Sequence, residues 1–184
     1  MRDGFVKVGA ATPDILVADC VHNREEIVKK VKEMAEAGTK VMAFPELCIT
    51  GYTCSDLFWQ ELLLVRAKEE LHKLEEELEE VEGLIIVGLP LEFNQKLYNT
   101  AAVISGGKVL GFVPKHHLPN YAEFYEARHF TAGCAFEGMV NWYGREVPFG
   151  QNLLFACEEL PQLVTAVEIC EDLWAPNPPS ISHA

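Results

Sequence analysis

Three chemically reactive side chains each follow a short hydrophobic stretch of the sequence that is typical of a β-strand. The stretches are residues 41–44, 109–113 and 163–169, and the side chains are Glu46, Lys115 and Cys170. In layered α/β folds, ligand sites gather outside the carboxyl ends of strands. A thiol can attack a carbonyl carbon, a carboxylate can accept the thiol proton, and an ammonium can stabilise the oxyanion that forms. These residue types therefore predict a candidate catalytic set acting on a carbonyl group.

Each of the three residues, taken alone, also has a simpler structural explanation. Glu46 and Lys115 could form a surface ion pair, and Cys170 could be a small buried hydrophobic residue. The sequence has six cysteines, but none forms a CxxC pair and their spacing does not match a zinc site. We expect free thiols, because no signal-peptide pattern is visible. Residue types and spacing leave the choice between catalysis and packing open.

The order of the predicted elements indicates an α/β layered fold with a mixed sheet, not a purely parallel one. Strands are predicted at residues 5–11, 41–44, 84–88, 98–105, 108–113, 153–156 and 163–169. Gly106 and Gly107 predict a two-residue hairpin turn, because glycine accepts the positive φ that such turns require. Residues 116–150 show no clear periodicity.

Two helices are predicted between the first strands. The first has Asn23 as its N-cap, with Glu26 as the capping-box partner, and ends near Gly38. The second covers residues 61–82, with leucines on one face and a dense run of glutamates on the other. That acidic run is most simply a solvated helix face, although a partner-binding or coiled-coil element is the alternative.

Composition excludes several classes of function. The formal net charge of -13 argues against binding to nucleic acid or to an anionic membrane, because both require faces rich in Lys and Arg. No apolar run approaches the roughly 20 residues that cross a bilayer. No glycine-rich phosphate-binding motif follows any strand, so nucleotide binding in this segment has no support. We expect a cytoplasmic protein.

Three segments around the reactive residues resemble the motifs of the nitrilase superfamily, in the superfamily's order. They are Phe44-Pro45-Glu46-Leu47 with Gly51-Tyr52, Pro114-Lys115-His116-His117-Leu118-Pro119, and Glu168-Ile169-Cys170-Glu171-Asp172. Further segments resemble the glutaminase domain of bacterial glutamine-dependent NAD synthetases. These are Ser55-Asp56-Leu57-Phe58, Asn120-Tyr121 with Glu123-Phe124-Tyr125-Glu126, and Leu173-Trp174 with Pro178-Pro179-Ser180. The resemblance covers essentially all 184 residues.

The resemblance implies a nitrilase-type αββα sandwich with mixed sheets. Members of this superfamily are longer than the present sequence, so residues 1–184 are expected to be most of an N-terminal carbon-nitrogen hydrolase domain, truncated on its C-terminal side. The synthetase domain is expected to be absent from this chain. A truncated chain is expected to self-associate and to hydrolyse glutamine slowly, because strand edges and apolar surface lose their cover.

The resemblance also implies roles for individual residues. Cys170 would attack the carboxamide of glutamine, Glu46 would act as the base, and Lys115 would stabilise the oxyanion. Glu126 would hold the lysine, while Tyr121 and Glu171 would contact the substrate. Lys115 is expected to lower the pKa of Cys170.

No metal or cofactor is expected in this segment. ATP, magnesium and deamido-NAD would bind only at the missing synthetase domain, which the resemblance makes the partner that uses the ammonia. A homo-oligomer is expected.

Three alternatives remain at this point. The chain could be a stand-alone nitrilase-type amidase acting on another small amide, or an inactive truncated module that serves as a scaffold. His116 and His117 also suggest a cysteine–histidine pair of the papain type. Neighbouring histidines point in different directions, so at most one could serve, and no orienting residue supports the pair.

Overall fold

A seven-stranded mixed β-sheet organises the chain in the computed structural model, which describes residues 4–136 and 138–184. Its strands are β1 (Val8–Ala10), β2 (Val41–Ala43), β3 (Leu84–Phe93), β4 (Lys96–Ser105), β5 (Lys108–Pro114), β6 (Gly138–Trp142) and β7 (Arg145–Phe149). The spatial order is β1-β2-β3-β4-β5-β7-β6. Strands β1 to β3 are parallel, the β3–β4, β4–β5 and β6–β7 pairs are antiparallel, and β5 pairs with β7 in parallel. The predicted α/β fold with a mixed sheet is confirmed.

Helices and a second small sheet complete the described part. The α-helices are α1 (Cys20–Glu36), α2 (Glu61–Glu77), α3 (Glu126–His129), α4 (Glu171–Trp174) and α5 (Ser180–His183). A kinked 3₁₀ helix covers Tyr52–Trp59, and the second sheet pairs β8 (Phe155–Ala156) with β9 (Val164–Thr165). No helix in the part of the chain that the structure describes is long and apolar enough to span a membrane.

Both faces of the central strands β3 and β4 are largely buried. Alternate residues of β3 and β4, such as Ile85 and Ile104, pack with the apolar faces of α1 and α2. Their neighbours, such as Ile86 and Val103, pack against the segment that carries β8 and β9. Strands buried on both faces have continuous hydrophobic sequences. The described layers are therefore helices, large sheet and small sheet.

Hairpin turns explain one prediction that is confirmed and one element that was missed. Gly106 and Gly107 both have positive φ, as the predicted two-residue turn requires. The β6–β7 hairpin was not predicted, because residues 116–150 showed no period. Its turn uses the same geometry at Tyr143 and Gly144, with φ of 47° and 83°. A tyrosine rarely adopts this conformation, so the turn signal was weak.

The predicted start of the first helix is wrong. The N-cap is Asp19, whose carboxylate accepts the His22 N–H at 3.1 Å. Asn23 lies inside the helix, where its buried amide bonds the backbone of Leu16 and the carbonyl of Ile49. Asn23 thus ties α1 to the loop after β2, a role that local sequence cannot distinguish from a cap.

The acidic side of α2 is only partly solvated, which corrects the second helix prediction. Glu70 and Glu75 are buried. Glu70 pairs with Arg24 and Lys73, each at 2.7 Å. The helix also ends at Glu77 and not near residue 82. Its last turn holds no basic residue to complement the negative end of the helix dipole, so the following glutamates do not extend it.

Several strands are shorter than predicted. Strand β1 is limited to three residues because its partner β2 has only three. The predicted strands at residues 153–156 and 163–169 pair over two residues each. Beyond Thr165, residues 166–170 instead form one wall of a cleft.

Candidate active site

Two carboxylates share one buried ammonium beside the end of β5. Lys115 Nζ donates to Oε1 of Glu46 at 2.6 Å and to Oε1 of Glu126 at 2.7 Å. The Lys115 side chain is fully buried, and Glu126 is 4% exposed. Two carboxyl groups thus share one ammonium in a poorly solvated position, where ionising both would leave an excess negative charge.

The chain reaches these positions through the ends of three elements. Glu46 lies just after β2, Lys115 directly after β5, and Glu126 at the start of α3. The loop after β2 crosses β3 so closely that a Cβ on Gly88 would lie 2.2 Å from the Leu47 nitrogen. Gly88 therefore allows Glu46 to lie over the sheet.

Two further polar residues complete this cluster, and the sequence analysis assigned no role to either. The Tyr52 hydroxyl donates to Glu126 Oε1 at 2.7 Å, and Asn99 Nδ2 donates to Glu46 Oε1 at 2.5 Å. Asn99 lies in β4, where it and Thr100 interrupt a mostly hydrophobic stretch. A polar residue at a buried strand position is a signal that could have identified it.

Cys170 lies at the mouth of the same cluster. It follows Ile169 as the N-cap of α4, with φ 48° and ψ −100°, a conformation that L-residues rarely adopt. The thiol lies close enough to Glu46 for the charge of that carboxylate to act on it. Glu46 and Cys170 both line a cleft of about 390 Å³, and Lys115 lies behind Glu46. The three side chains thus form one cluster, but only Glu46 and Cys170 line the cleft, where all three were expected.

The expectation that the pKa of Cys170 is lowered overall is wrong, although Lys115 does act in the expected direction. Burial raises the pKa of the thiol above its ordinary value, and the negative charge of Glu46 raises it further. Lys115 acts in the opposite direction but does not outweigh them, because its charge is shared between two carboxylates. Cys170 therefore rests as a thiol, and it would need a base in order to act as a nucleophile.

Burial and neighbouring charges also shift the pKa values of Lys115 and Glu126. Burial lowers the pKa of Lys115, but the adjacent carboxylates more than offset this effect and hold the pKa above its ordinary value. Burial raises the pKa of Glu126, and the hydrogen bonds from Lys115 and Tyr52 compensate only in part. Glu126 Oε2 is buried without a hydrogen-bond partner among the described residues.

Asp172 joins the loop after Lys115 to the turn at Cys170. Its buried carboxylate accepts the backbone N–H groups of His116 at 3.1 Å, His117 at 2.7 Å and Ile169 at 3.3 Å. One side chain thus fixes the relative position of two loops that carry reactive residues.

The rings of His116 and His117 contact backbone carbonyls in the hydrogen bonds that the structure describes. His116 Nδ1 lies 2.6 Å from the Gly133 oxygen, and His117 Nε2 lies 3.4 Å from the Asn177 oxygen. These contacts favour structural roles over a papain-type pair.

Tyr121 and Glu171 meet at the rim. The Tyr121 hydroxyl donates to Glu171 Oε2 at 3.0 Å. Glu171 directly follows Cys170 in the sequence, and Tyr121 lies near enough to Cys170 in space for the two to interact electrostatically. Hydrogen bonding to the Glu171 carboxylate raises the pKa of Tyr121. Tyr121 is 57% exposed, so this pair faces solvent while the deeper cluster does not.

Residues 4–136 and 138–184 contain no group of three or more His, Cys, Asp or Glu side chains arranged to hold a metal ion. The chemistry that this arrangement supports is that of a thiol, a carboxylate and an ammonium.

Comparison with known proteins defines the class. The sequence pattern of the carbon-nitrogen hydrolase family matches residues 7–182, and the chain belongs to this family. A glutamine-dependent NAD(+) synthetase of Mycobacterium tuberculosis strain H37Rv is 39% identical over 183 residues, covering 100% of this chain and 27% of that protein. The resemblance to these synthetases is therefore confirmed, and this chain spans about a quarter of such a relative's length.

Solved structures agree with this assignment. A glutamine-dependent NAD(+) synthetase from Cytophaga hutchinsonii is 28% identical, with a TM-score of 0.82 over 90% of this chain and 28% of that one. An amidase of the nitrilase superfamily from Nesterenkonia is 21% identical, with a TM-score of 0.61 over 80% of this chain and 56% of that one. The second likeness shows the fold alone. The predicted nitrilase-type fold is confirmed.

Proposed function

We propose that this chain is a glutamine amidohydrolase domain that releases ammonia from glutamine through a thioester on Cys170. One observation carries the proposal: a neutral thiol lies beside a carboxylate that is hydrogen-bonded to a buried ammonium, at the edge of a cleft. The names of the relatives support glutamine as the amide.

In the first half-reaction, Glu46 accepts the thiol proton while Cys170 Sγ bonds the carboxamide carbon. The carbonyl oxygen becomes an oxyanion. Lys115 uses two of its three N–H groups on Glu46 and Glu126, and the third would stabilise that oxygen. Glu46 returns its proton to the amide nitrogen, the C–N bond breaks, and ammonia leaves.

In the second half-reaction, water attacks the thioester and gives a proton to Glu46. The C–S bond breaks, the sulfur regains that proton, and glutamate leaves. Glu126 holds Lys115 in place throughout: its Oε1 accepts hydrogen bonds from both Lys115 Nζ and the Tyr52 hydroxyl, and Tyr52 thereby fixes Glu126. The cycle needs no metal or cofactor in this segment.

The rim pair would recognise the substrate. Glu171 carries a carboxylate, so it suits the α-ammonium of glutamine, and Tyr121 orients that carboxylate. In the whole protein the ammonia would feed ATP-dependent amidation of deamido-NAD to NAD. ATP, magnesium and deamido-NAD would bind a synthetase domain outside these 184 residues.

The proposal is tested by glutamate release from glutamine and from a panel of small amides, measured on the intact protein. We expect glutamine to be hydrolysed best, and a diazo-ketone analogue of glutamine to label Cys170. Faster hydrolysis of another amide would identify a general amidase, and labelling mainly at Cys48 or Cys54 would contradict the assignment. Cys48 is a poor competitor, because burial raises its pKa to about 12.

A further inference from the structure

Asn99 is a buried polar residue that contacts two members of the candidate catalytic set at once. Its Nδ2 donates to Glu46 Oε1 at 2.5 Å, and its backbone carbonyl accepts the Lys115 N–H at 2.8 Å. The residue is 1% exposed and lies in the antiparallel centre of the sheet, paired with Pro90 of β3. Asn99 is therefore held rigidly where it meets Glu46.

The orientation of the Asn99 amide follows from Glu46. If the amide were flipped, Oδ1 would face Glu46 Oε1, and two acceptors would be in contact. In the observed orientation Oδ1 is buried and has no hydrogen-bond partner among the described residues. Leaving a buried acceptor unpaired is unfavourable. The contact with the Glu46 carboxylate compensates for this and fixes the side chain.

The two donors make the two oxygens of the Glu46 carboxylate inequivalent. Both Lys115 Nζ and Asn99 Nδ2 bond Oε1. Oε2 is thereby the oxygen that can accept the proton of Cys170. Loss of one donor would let the carboxylate rotate and would favour its protonated form.

We propose that Asn99 is a positioning residue that holds the Glu46 carboxylate and turns Oε2 toward Cys170. This proposal rests on the proposed function, because it gives Asn99 a part in the proton transfer from the thiol. The other ionisable groups that face Glu46 are Lys115 after β5, Glu126 of α3, Tyr52 of the 3₁₀ helix and Cys170 before α4.

The test is the rate at which iodoacetamide alkylates Cys170 in the intact protein, followed by peptide mass spectrometry between about pH 4 and pH 9. Near neutral pH the raised pKa of Cys170 leaves little thiolate, so alkylation depends on Glu46 as a base. The rate therefore falls on the acid side as Glu46 becomes protonated. This readout requires no recognition of glutamine.

We expect Asn99→Ala to move this acid limb to higher pH by about one unit, since the carboxylate loses a hydrogen bond that favours its ionised form. Asn99→Asp keeps the shape but replaces the donor by an acceptor, and should move the limb at least as far. Asn23→Ala is the matched control, because Asn23 is a similarly buried asparagine whose side-chain hydrogen bonds, among the described residues, go to backbone groups of Leu16 and Ile49. It should lose stability and leave the limb in place.

An acid limb that stays at the wild-type position in whichever Asn99 variant folds would overturn the proposal. A shift of the same size in Asn23→Ala would also overturn it, because the effect would then come from general destabilisation. If the wild-type protein releases no glutamate while the Asn99 shift is observed, the proposed function fails and the positioning role stands.

Discussion

Strand β5 begins beside one buried acid, Glu75, and ends beside the pair Glu46 and Glu126, and the two ends differ in how their carboxylates are neutralised. At its start, Glu75 of α2 accepts the Val109 N–H at 2.7 Å and the Trp142 indole N–H at 2.7 Å. Arg145 adds a contact at 2.5 Å and His72 one at 3.1 Å. Each oxygen of this carboxylate therefore has two partners.

At the other end of β5, the carboxylates are less completely satisfied. Glu46 and Glu126 share a single ammonium, and Glu126 Oε2 has no partner among the described residues. Burial keeps the pKa of Glu126 raised, and a thiol and an open cleft lie next to Glu46. Burial of an acid alone is thus no sign of function. Excess charge, an unpaired acceptor and access to a cleft distinguish the reactive group from the structural one.

The largest effect should come from removing the nucleophile. Cys170→Ala should reduce glutamate release by about four orders of magnitude or more, since no other group replaces the thioester. Cys157→Ala is a matched control at a thiol outside the cleft and should retain full turnover. Comparable loss in both variants would remove Cys170 from its proposed role. The measurement is steady-state turnover at equal protein concentration.

Replacing the base should separate activity from thiol acidity. Glu46→Gln should reduce turnover by about 10² to 10⁴-fold, the usual contribution of a general base. The negative charge of Glu46 raises the pKa of Cys170, so the same variant should lower that pKa. Direct alkylation by thiolate would then begin at lower pH than in wild type. An unchanged or higher alkaline midpoint for iodoacetamide labelling would contradict this electrostatic account.

Substitution of Glu75, at the start of β5, should lower the stability of the protein without changing its turnover. Glu75→Ala leaves a buried indole N–H, a backbone N–H and a guanidinium without their acceptor, which should cost about 3–5 kcal/mol of unfolding free energy. Turnover per folded molecule should remain at the wild-type level. Glu76→Ala is the control, because its side chain is 69% exposed. Urea unfolding and turnover, measured in parallel, would reveal any loss of activity that exceeds the loss of folded protein.

Much of the fold could be predicted from local pattern. The continuous hydrophobic stretches of β3 to β5 predict strands, and the paired glycines at 106 and 107 predict the turn between β4 and β5, without knowledge of distant contacts. The burial of Glu75 could not be predicted, because its partners Val109, Trp142 and Arg145 lie 34 to 70 positions away. The prediction that Asn23 is an N-cap was wrong for the same reason, since an N-cap and a tertiary contact can use the same residue type.

The site was predictable in its residue types and less so in its electrostatics. Strand ends and motifs placed Glu46, Lys115 and Cys170 together, as observed. The direction of the Cys170 pKa shift was missed, because it depends on burial and on how one ammonium divides between two acids. Neither quantity can be read from spacing along the chain.

The smallest effect should occur at the rim, where Tyr121 meets Glu171. The hydroxyl bonds a carboxylate at an exposed position, so solvent can replace much of the interaction. Tyr121→Phe keeps the ring and removes only that hydrogen bond, and we expect KM for glutamine to rise several-fold, with kcat nearly unchanged. Tyr125→Phe, at a neighbouring tyrosine that is 65% exposed, provides the control and should leave both constants near wild type.

Steady-state kinetics with glutamine and with a small amide that lacks the α-ammonium would separate recognition from chemistry. Only the glutamine KM should change if Tyr121 orients Glu171 for that ammonium. A matching fall in kcat for both amides would instead place Tyr121 in the reaction itself, and the contrast between a polar rim that recognises and a buried cluster that reacts would then be wrong.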